Sequence, residues 1–135
     1  MKNVFLVLIV LTLQISSFGQ KSNELSKTQK GSIESFYLDV DKLTAKRIIA
    51  ENKKLIIMDV RTPEETAKGK IENAIELDIK SPDFKKKLDQ LDKDKPYLVY
   101  CYAGGRASNA MDIMKEKGFK QIFILDPGYK DWGTK

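Results

Sequence analysis

Short apolar runs alternate along the chain with stripes of apolar residues at helical spacing. Two of the runs are continuous, as in strands buried on both faces of a sheet: LIIMDV at 55–60 and PYLVYC at 96–101. Three weaker strand patterns lie at 36–39, 74–79 and 121–125. The helical stripes lie at 42–51, at 81–91 and between 106 and 118.

Strands and helices that alternate with short links are typical of a parallel sheet covered by helices. We therefore predict an α/β protein with three layers, in which a central parallel sheet of about five strands has helices on both faces. A single domain over 36–135 holds all of these elements, as expected for a chain of 135 residues. Within it, Ser81 is placed to cap the second helix and Pro82 to occupy its first position.

The N-terminus has the pattern of an export signal. Met1 and Lys2 give a positive start, an apolar run follows at 4–13, and the small residues Ser17 and Gly19 are spaced as a cleavage site requires. The run is shorter than the ~20 residues that span a bilayer. We predict that 1–19 is a cleaved signal peptide and that the mature protein is exported to the periplasm, without stable membrane association. Residues 20–35 are polar and form a flexible leader.

Charge adds little to this picture. The chain carries a net charge of +5, which falls to +4 when Lys2 leaves with the signal peptide. The lysines are interleaved with acidic residues and do not cluster with aromatic ones, so nucleic acid is not an expected partner. Oligomeric state is not encoded in these patterns, and a monomer is the default expectation.

Cys101 is the only cysteine, and the chain has no histidine. These counts exclude an internal disulfide, a Cys–His nucleophilic pair and the usual zinc sites. We therefore expect neither a metal nor a cofactor. Whatever activates this thiol must come from the backbone and from arginine.

The stretch VYCYAGGRAS at 99–108 surrounds that thiol with features of an anion site. Cys101 closes a strand, and a loop with two glycines leads into a helix that starts near Arg106. Ligands of open parallel sheets bind at the carboxyl ends of the strands. Curled backbone and a helix N-terminus present N–H groups and positive potential, and a thiol held there ionises readily. A lone cysteine can also be a small buried hydrophobe beside a turn, but the coincidence of these features favours the functional interpretation.

Four motifs in order over 55–132 resemble those of a rhodanese domain: MDVRTPEE, GKIENAIEL, YCYAGGRAS and LDPGYKDW. The resemblance implies a rhodanese-like fold and a sulfurtransferase. In such enzymes a thiolate takes a sulfane sulfur from a small anionic donor such as thiosulfate, and a thiol or cyanide-like acceptor removes it. Cys101 would carry the sulfur as a persulfide, with Arg106 as its catalytic partner. The donor would bind to the backbone of Tyr102, Ala103, Gly104, Gly105 and Arg106.

The DVRTPEE stretch supports two interpretations. Thr62, Pro63 and Glu65 form an N-terminal capping box with proline at the first helical position, which is a sufficient structural reason for them. Asp59 and Arg61 end the strongest buried strand. The resemblance implies that Asp59, Arg61 and Glu65 support the loop around Cys101, and a purely structural role stays open.

Some positions depart from the family pattern. Lys70 stands where histidine is usual, Asn73 replaces a glycine, Thr66 replaces an aromatic residue, and Asp126–Pro127 precedes Gly128 in place of a glycine pair. None of them lies in the loop from Cys101 to Arg106. Tyr102 is expected at the rim of the site, and Trp132 is expected to pack the C-terminal turn.

A phosphatase, a non-catalytic module and disulfide exchange are the alternatives to the sulfurtransferase, and the length of the loop disfavours the phosphatase. Four residues separate Cys101 from Arg106, which is similar to sulfurtransferases; related phosphatases have a loop one residue longer. The other candidate is a non-catalytic rhodanese-like module that binds a partner or carries sulfur. Disulfide exchange is a poorer choice because the chain has no second cysteine. The physiological donor and acceptor cannot be named from these motifs.

Overall fold

The computed structural model describes residues 34–133. The predicted signal peptide at 1–19 and the predicted leader as far as residue 33 lie outside this part. The strands are β1 (Phe36–Val40), β2 (Ile56–Asp59), β3 (Ile75–Glu76), β4 (Pro96–Tyr100) and β5 (Gln121–Leu125). The helices are α1 (Lys42–Glu51), α2 (Pro63–Thr66), α3 (Phe84–Leu88) and α4 (Gly105–Glu116), followed by a 3-10 turn at Tyr129–Asp131.

The five strands form one parallel sheet in the order β1-β5-β4-β2-β3. β4 lies in the middle, with Ile56 opposite Tyr97 on one side and Gln121 opposite Pro96 on the other. All five residues of β4 are buried, as its continuous apolar run predicted. The predicted α/β fold with a five-stranded parallel sheet is confirmed.

Alternate residues of β4 pack into two cores on opposite faces of the sheet. Tyr97, Val99 and Cys101 belong to the core that also holds the buried residues of α3 and α4. Leu98 and Tyr100 belong to the core that holds Ala45 of α1. Because a strand's side chains point alternately to its two faces, each face needs its own helical cover. The predicted helices on both faces are confirmed.

The helix signals in the sequence are confirmed at α1 and α2. α1 spans the predicted residues, and Asp41 caps it by accepting a hydrogen bond from the Thr44 N–H at 2.7 Å. α2 has the predicted capping box of Thr62 and Glu65, with Pro63 at its first position. These signals act within one turn of helix, so the sequence alone suffices to predict them.

The prediction for α3 was wrong at its start. The helix begins at Phe84 and not at Pro82, and Asp83 is its N-terminal flanking residue. The Phe84 N–H bonds to the Ser81 carbonyl at 3.1 Å, three residues back, while the Ser81 hydroxyl accepts from the Asp83 N–H at 3.3 Å. Ser81 and Pro82 therefore form a tight turn before the helix instead of its cap and first residue.

The strand predicted at 74–79 is shorter in the structure. Only Ile75 and Glu76 have strand geometry, at the edge of the sheet beside β2. Two hydrogen bonds continue beyond them, from Leu77 N–H to the Asp59 carbonyl (2.9 Å) and from Ile79 N–H to the Val60 carbonyl (3.2 Å). The segment thus remains hydrogen-bonded to the chain at the end of β2, although its residues do not alternate between exposed and buried as the sequence pattern predicted.

Within residues 34–133, every helix is too short or too polar to cross a membrane. What matters for the site is the carboxyl edge of the sheet. There, the ends of β2, β4 and β5 lie side by side because these strands are parallel and β4 pairs with both others.

Candidate active site

Cys101 directly follows β4 and is only 2% exposed. Its Sγ accepts a hydrogen bond from the Gly104 N–H at 3.1 Å, so the loop curls back over the sulfur. Gly104 has φ +96°, a conformation that a residue with a side chain adopts only under strain. The loop thereby directs its backbone N–H toward the thiol.

α4 begins at Gly105, immediately after this curl. The Gly104 carbonyl accepts from both the N–H (3.0 Å) and the hydroxyl (3.3 Å) of Ser108, which ties the loop to the first turn of the helix. The unpaired N–H groups and positive potential of a 12-residue helix therefore lie next to the sulfur. This combination suits a thiolate and an incoming anion.

Arg106, the second residue of α4, is held by Glu65 of α2. Its two terminal nitrogens donate to the two carboxylate oxygens at 2.6 and 2.7 Å. The hydrogen bonds from Arg106 are the main reason that the pKa of Glu65 falls from 4.5 to about 2. Glu65 also accepts from the Thr62 N–H at 3.2 Å, so the same carboxylate caps α2 and fixes the start of α4.

Asp59 and Arg61 form a buried ion pair where β2 ends, with exposures of 0% and 3%. The Arg61 Nη2 lies 2.6 Å from one carboxylate oxygen, and its Nε lies 2.9 Å from the other. Nη2 also donates to the Gly69 carbonyl at 2.7 Å, and the guanidinium lies 4.0 Å from the centre of the Tyr129 ring. The pair therefore joins the end of β2, the residues after α2 and the C-terminal turn.

The C-terminal turn holds the loop from the other side, a contact that the sequence analysis did not predict. Tyr129 and Lys130 donate their backbone N–H groups to the carbonyls of Cys101 (2.8 Å) and Tyr102 (3.1 Å). Gly128 has φ +110°, and a Cβ there would lie 2.7 Å from both of these carbonyl oxygens. The glycine is required because the two backbones meet without room for a side chain.

A cavity of 290 Å³ lies beside the loop and is lined by Arg61, Glu65, Lys68, Tyr102 and Tyr129. Tyr102 is 52% exposed and therefore reaches the rim of the site, while Cys101 is buried. Sequence reasoning selected Arg61, Glu65 and Tyr102 but missed Lys68 and Tyr129. Lys68 lies in none of the four motifs, and the LDPGYKDW motif that contains Tyr129 does not indicate that its ring faces this cavity; only the folded chain brings the two residues together here.

The predicted residues lie in three small groups around the loop. Asp59 pairs with Arg61, Glu65 pairs with Arg106, and Cys101 and Gly104 form the sulfur-binding curl. Arg61 and Glu65 line the same cavity. Ala103 lies within the loop, and Gly105 starts the helix. Among residues 34–133 no group of three or more His, Cys, Asp or Glu side chains is arranged to hold a metal ion.

Comparison with known proteins identifies the fold's family. The family model described as Rhodanese-like domain matches residues 42–135. This chain belongs to the rhodanese-like domain family. It is 31% identical over 97 residues to the thiosulfate sulfurtransferase GlpE of Coxiella burnetii (strain RSA 493 / Nine Mile phase I), a match that covers 71% of this chain and 87% of that protein.

Two other relatives of this rhodanese-like chain are informative. A Bacillus subtilis (strain 168) protein named "Putative sulfur carrier protein YrkF" is 28% identical over 118 residues, which cover 87% of this chain and 60% of that one. The crystal structure of a rhodanese-related protein from Thermoplasma volcanium superposes with a TM-score of 0.62 at 28% identity. It covers 71% of this chain and 90% of that one. By name, GlpE is a sulfurtransferase and YrkF is a putative sulfur carrier.

The departures from the rhodanese pattern are accommodated locally. Asn73, which replaces a glycine, has φ +61°, a left-handed conformation that asparagine tolerates better than most residues. Lys70 pairs with Glu76, and the Thr66 hydroxyl donates to the same carboxylate at 2.6 Å. Trp132 is half-buried against the second core, with the Lys46 ammonium 5.4 Å from the centre of its ring. Trp132 therefore packs the C-terminal turn, as expected.

Proposed function

We propose that this rhodanese-like protein is a sulfurtransferase that moves a sulfane sulfur from thiosulfate or a similar anionic donor to a nucleophilic acceptor, through a persulfide on Cys101. The observation that carries the proposal is the 3.1 Å hydrogen bond from the Gly104 N–H to Cys101 Sγ, at the N-terminus of α4. A backbone donor and a helix N-terminus stabilise negative charge at this position, on the attacking sulfur and on an anionic donor alike.

In the donor step, the Cys101 thiolate attacks the outer sulfur of thiosulfate. A bond forms between Sγ and that sulfur, the sulfur–sulfur bond of thiosulfate breaks, and sulfite leaves with the electron pair. Negative charge is present on the attacking and leaving groups throughout. The loop N–H groups and the positive end of α4 are fixed before the reaction begins, so stabilising this charge requires no rearrangement. The loop residues 102–106 are the proposed donor site.

Arg106 contributes to this step as part of a charge pair. Glu65 occupies two of its N–H groups, so the guanidinium is locked in position beside the loop. Guanidinium has five N–H donors, which leaves three for the donor anion or for ordering the loop. We assign Arg106 to the catalytic site. We assign Asp59, Arg61 and Glu65 as positioning residues, which hold Arg106 and the loop in place.

The second candidate is a sulfur carrier or binding module without turnover of small donors. The relative named as a sulfur carrier favours it. Such a module would use the same persulfide on Cys101 but would exchange sulfur only with a protein partner. The two candidates therefore differ in whether small molecules alone support repeated turnover.

Thiocyanate formation from thiosulfate and cyanide distinguishes these candidates. The full-length protein, kept reduced, is compared with Cys101→Ser, whose hydroxyl keeps the shape of the loop but cannot carry sulfur. We expect turnover in the wild type and a loss of at least about a thousandfold in the variant, the size typical of removing a covalent nucleophile. Turnover that survives Cys101→Ser contradicts the proposed role of this thiol.

If the folded, reduced wild type shows no turnover, mass spectrometry after incubation with thiosulfate shows whether Cys101 has taken up a sulfur atom. A stable gain of one sulfur atom on Cys101 without turnover supports the carrier. No gain of sulfur contradicts both candidates with this donor. If the wild type does turn over, Arg106→Ala and Glu65→Gln separate donor binding from loop positioning through their effects on KM and kcat.

A further inference from the structure

The cavity beside the loop is larger than the donor step requires. Its volume of 290 Å³ is close to the lower bound of about 300 Å³ for sites that bind small organic molecules. Arg61 and Glu65 in its wall already take part in the ion pairs around the loop. The backbones of Tyr102 and Tyr129 belong to the loop and its support, so it is the side chains of Lys68, Tyr102 and Tyr129 that indicate what the cavity binds.

Lys68 supplies the uncompensated charge of the cavity. The charge of Arg61 is offset by Asp59 and that of Glu65 by Arg106. The Lys68 side chain is exposed, and no carboxylate of residues 34–133 lies within ion-pair distance of its ammonium. With respect to partners among residues 34–133, the lining therefore carries one unpaired positive charge, which favours a ligand with an anionic group.

Tyr102 and Tyr129 supply aromatic surface to the same cavity. Tyr129 already stacks with Arg61 and Tyr100, so its ring is rigidly placed. Tyr102 is 52% exposed and offers a free face. Tyr102 directly follows Cys101 in the chain, so the cavity that it lines adjoins the loop that holds the sulfur. Aromatic walls suit a hydrocarbon segment, which thiosulfate lacks but an organic thiol has.

We propose that this cavity binds the sulfur acceptor, and that the acceptor is a small organic thiol with a carboxylate, which Lys68 attracts while Tyr102 packs on the carbon chain. The proposal rests on the proposed function and adds to it the chemical class of the acceptor. In the step, the acceptor thiolate forms a bond to the outer sulfur of the Cys101 persulfide. The bond between that sulfur and Sγ breaks, and its electron pair returns to Sγ as the thiolate.

The test is a single-turnover measurement on the full-length protein after thiosulfate has loaded Cys101. Loss of the extra sulfur is followed by intact mass with 3-mercaptopropionate, which has a carboxylate, and with 2-mercaptoethanol, which is neutral. Each variant is compared with the wild type for the same thiol, so differences in intrinsic thiol reactivity cancel. Lys68→Ala should slow 3-mercaptopropionate about threefold and Lys68→Glu about tenfold, as expected for an exposed charge contact. Both should leave 2-mercaptoethanol within about twofold.

Lys53→Ala is the matched control. Lys53 is also exposed, but it precedes β2 and therefore lies at the amino end of the strand, away from the site. The control substitution removes the same charge from the whole molecule and should leave both thiols unaffected. The proposal is wrong if Lys68→Ala changes neither thiol, slows both equally, or acts no more strongly than Lys53→Ala. Tyr102→Ala should slow both thiols, since packing on the carbon chain does not depend on charge.

A binding measurement separates this proposal from the sulfurtransferase proposal. Cys101→Ser is titrated with 3-(methylthio)propanoate, which cannot react, and amide NMR shifts are followed at Tyr102 and Tyr129. Saturable shifts whose midpoint moves to about threefold higher concentration in Lys68→Ala, and that the neutral alcohol 3-(methylthio)-1-propanol produces only more weakly, support the acceptor site. Persulfide formation without such shifts overturns the acceptor site and leaves the sulfurtransferase intact. If the wild-type protein never forms a persulfide, shifts in Cys101→Ser overturn the acceptor role together with the sulfurtransferase.

Discussion

Gly128 shows at the scale of one residue how the loop around Cys101 is held. Its φ of +110° and ψ of −163° belong to a region that is essentially restricted to glycine. Its missing side chain lets the C-terminal turn approach the carbonyls of Cys101 and Tyr102. The two hydrogen bonds from Tyr129 and Lys130 to those carbonyls depend on this approach.

Gly128→Ala should therefore destabilise the protein. The added methyl group meets two backbone oxygens at 2.7 Å, which cannot move as the end of a flexible side chain could. With the backbone strain included, we expect a loss of at least about 2 kcal/mol in the free energy of unfolding, measured by urea denaturation. Gly133→Ala is the control, because a Cβ at Gly133 has nothing within 4 Å and should change the stability by less than about 0.5 kcal/mol. Equal stability of the two variants would refute the steric explanation.

At the scale of elements, the end of β2 is attached to its surroundings through Asp59 and Arg61. The ion pair is buried, and Arg61 bonds onward to Gly69 and stacks on Tyr129. Burying two charges is costly, so such a pair is tolerated only where both partners are well satisfied. Here the geometry satisfies them, and the pair orders three segments around the cavity.

Asp59→Asn should leave the Arg61 guanidinium buried without its counter-charge. We expect a loss of about 3 kcal/mol in the free energy of unfolding by urea denaturation, the usual effect of breaking a buried pair from one side. Asp112→Asn is the matched control. Asp112 is 68% exposed and pairs with Lys115 at 3.6 Å, so its loss should cost less than about 0.5 kcal/mol. A similar small effect for Asp59→Asn would mean that water reaches Arg61.

At the scale of the whole molecule, the Glu65–Arg106 pair makes stability depend on pH. The pKa of Glu65 is lowered from 4.5 to about 2 in the folded protein, mainly by the hydrogen bonds from Arg106. Because the folded protein binds this proton less readily than the unfolded chain, the stabilisation is complete above about pH 5. It is lost as the pH falls toward 2. The side chains are 31% and 26% exposed, so screening reduces the contribution to about 1–2 kcal/mol.

Glu65→Gln should remove that contribution and its pH dependence. We expect the variant to be less stable than the wild type by about 1–2 kcal/mol at pH 7, with the difference shrinking steadily as the pH falls below about 4. Urea denaturation at pH 7, 5 and 3 measures this. Other carboxylates titrate in both proteins, so they cancel in the difference. A difference that stays constant from pH 7 to 3 would show that the charge is not responsible.

Glu72→Gln is the control for that series. Glu72 is exposed and pairs with no lysine or arginine among residues 34–133. Its replacement removes one carboxylate without removing a partner, and the stability should follow the wild type at each pH. A loss of stability like that of Glu65→Gln would mean that the change in net charge, and not the loss of the Glu65–Arg106 pair, causes the effect.

The sequence by itself determined the order and type of the elements, the parallel sheet, the capping box of α2 and the position of Cys101 at the end of the central strand. These follow from periodicity and from caps that act within one turn, so neighbouring residues suffice to predict them. The start of α3 was mispredicted because Ser81 and Pro82 fit a tight turn as well as a helix cap, and local sequence cannot distinguish the two. Export through residues 1–19 and sulfur transfer at Cys101 are predictions that await the experiment.

Only the tertiary structure decided which distant side chains meet. Glu65 and Arg106 are 41 residues apart, and Lys68 joins Tyr102 and Tyr129 in one cavity. The strand order places β2 and β5 on either side of β4, so the segments that follow these strands converge on Cys101. Hydrophobic patterns specify which face of a strand is buried but not which strands become neighbours. The surroundings of Cys101 therefore depend on how the sheet is assembled, because pairing between distant strands brings those segments together.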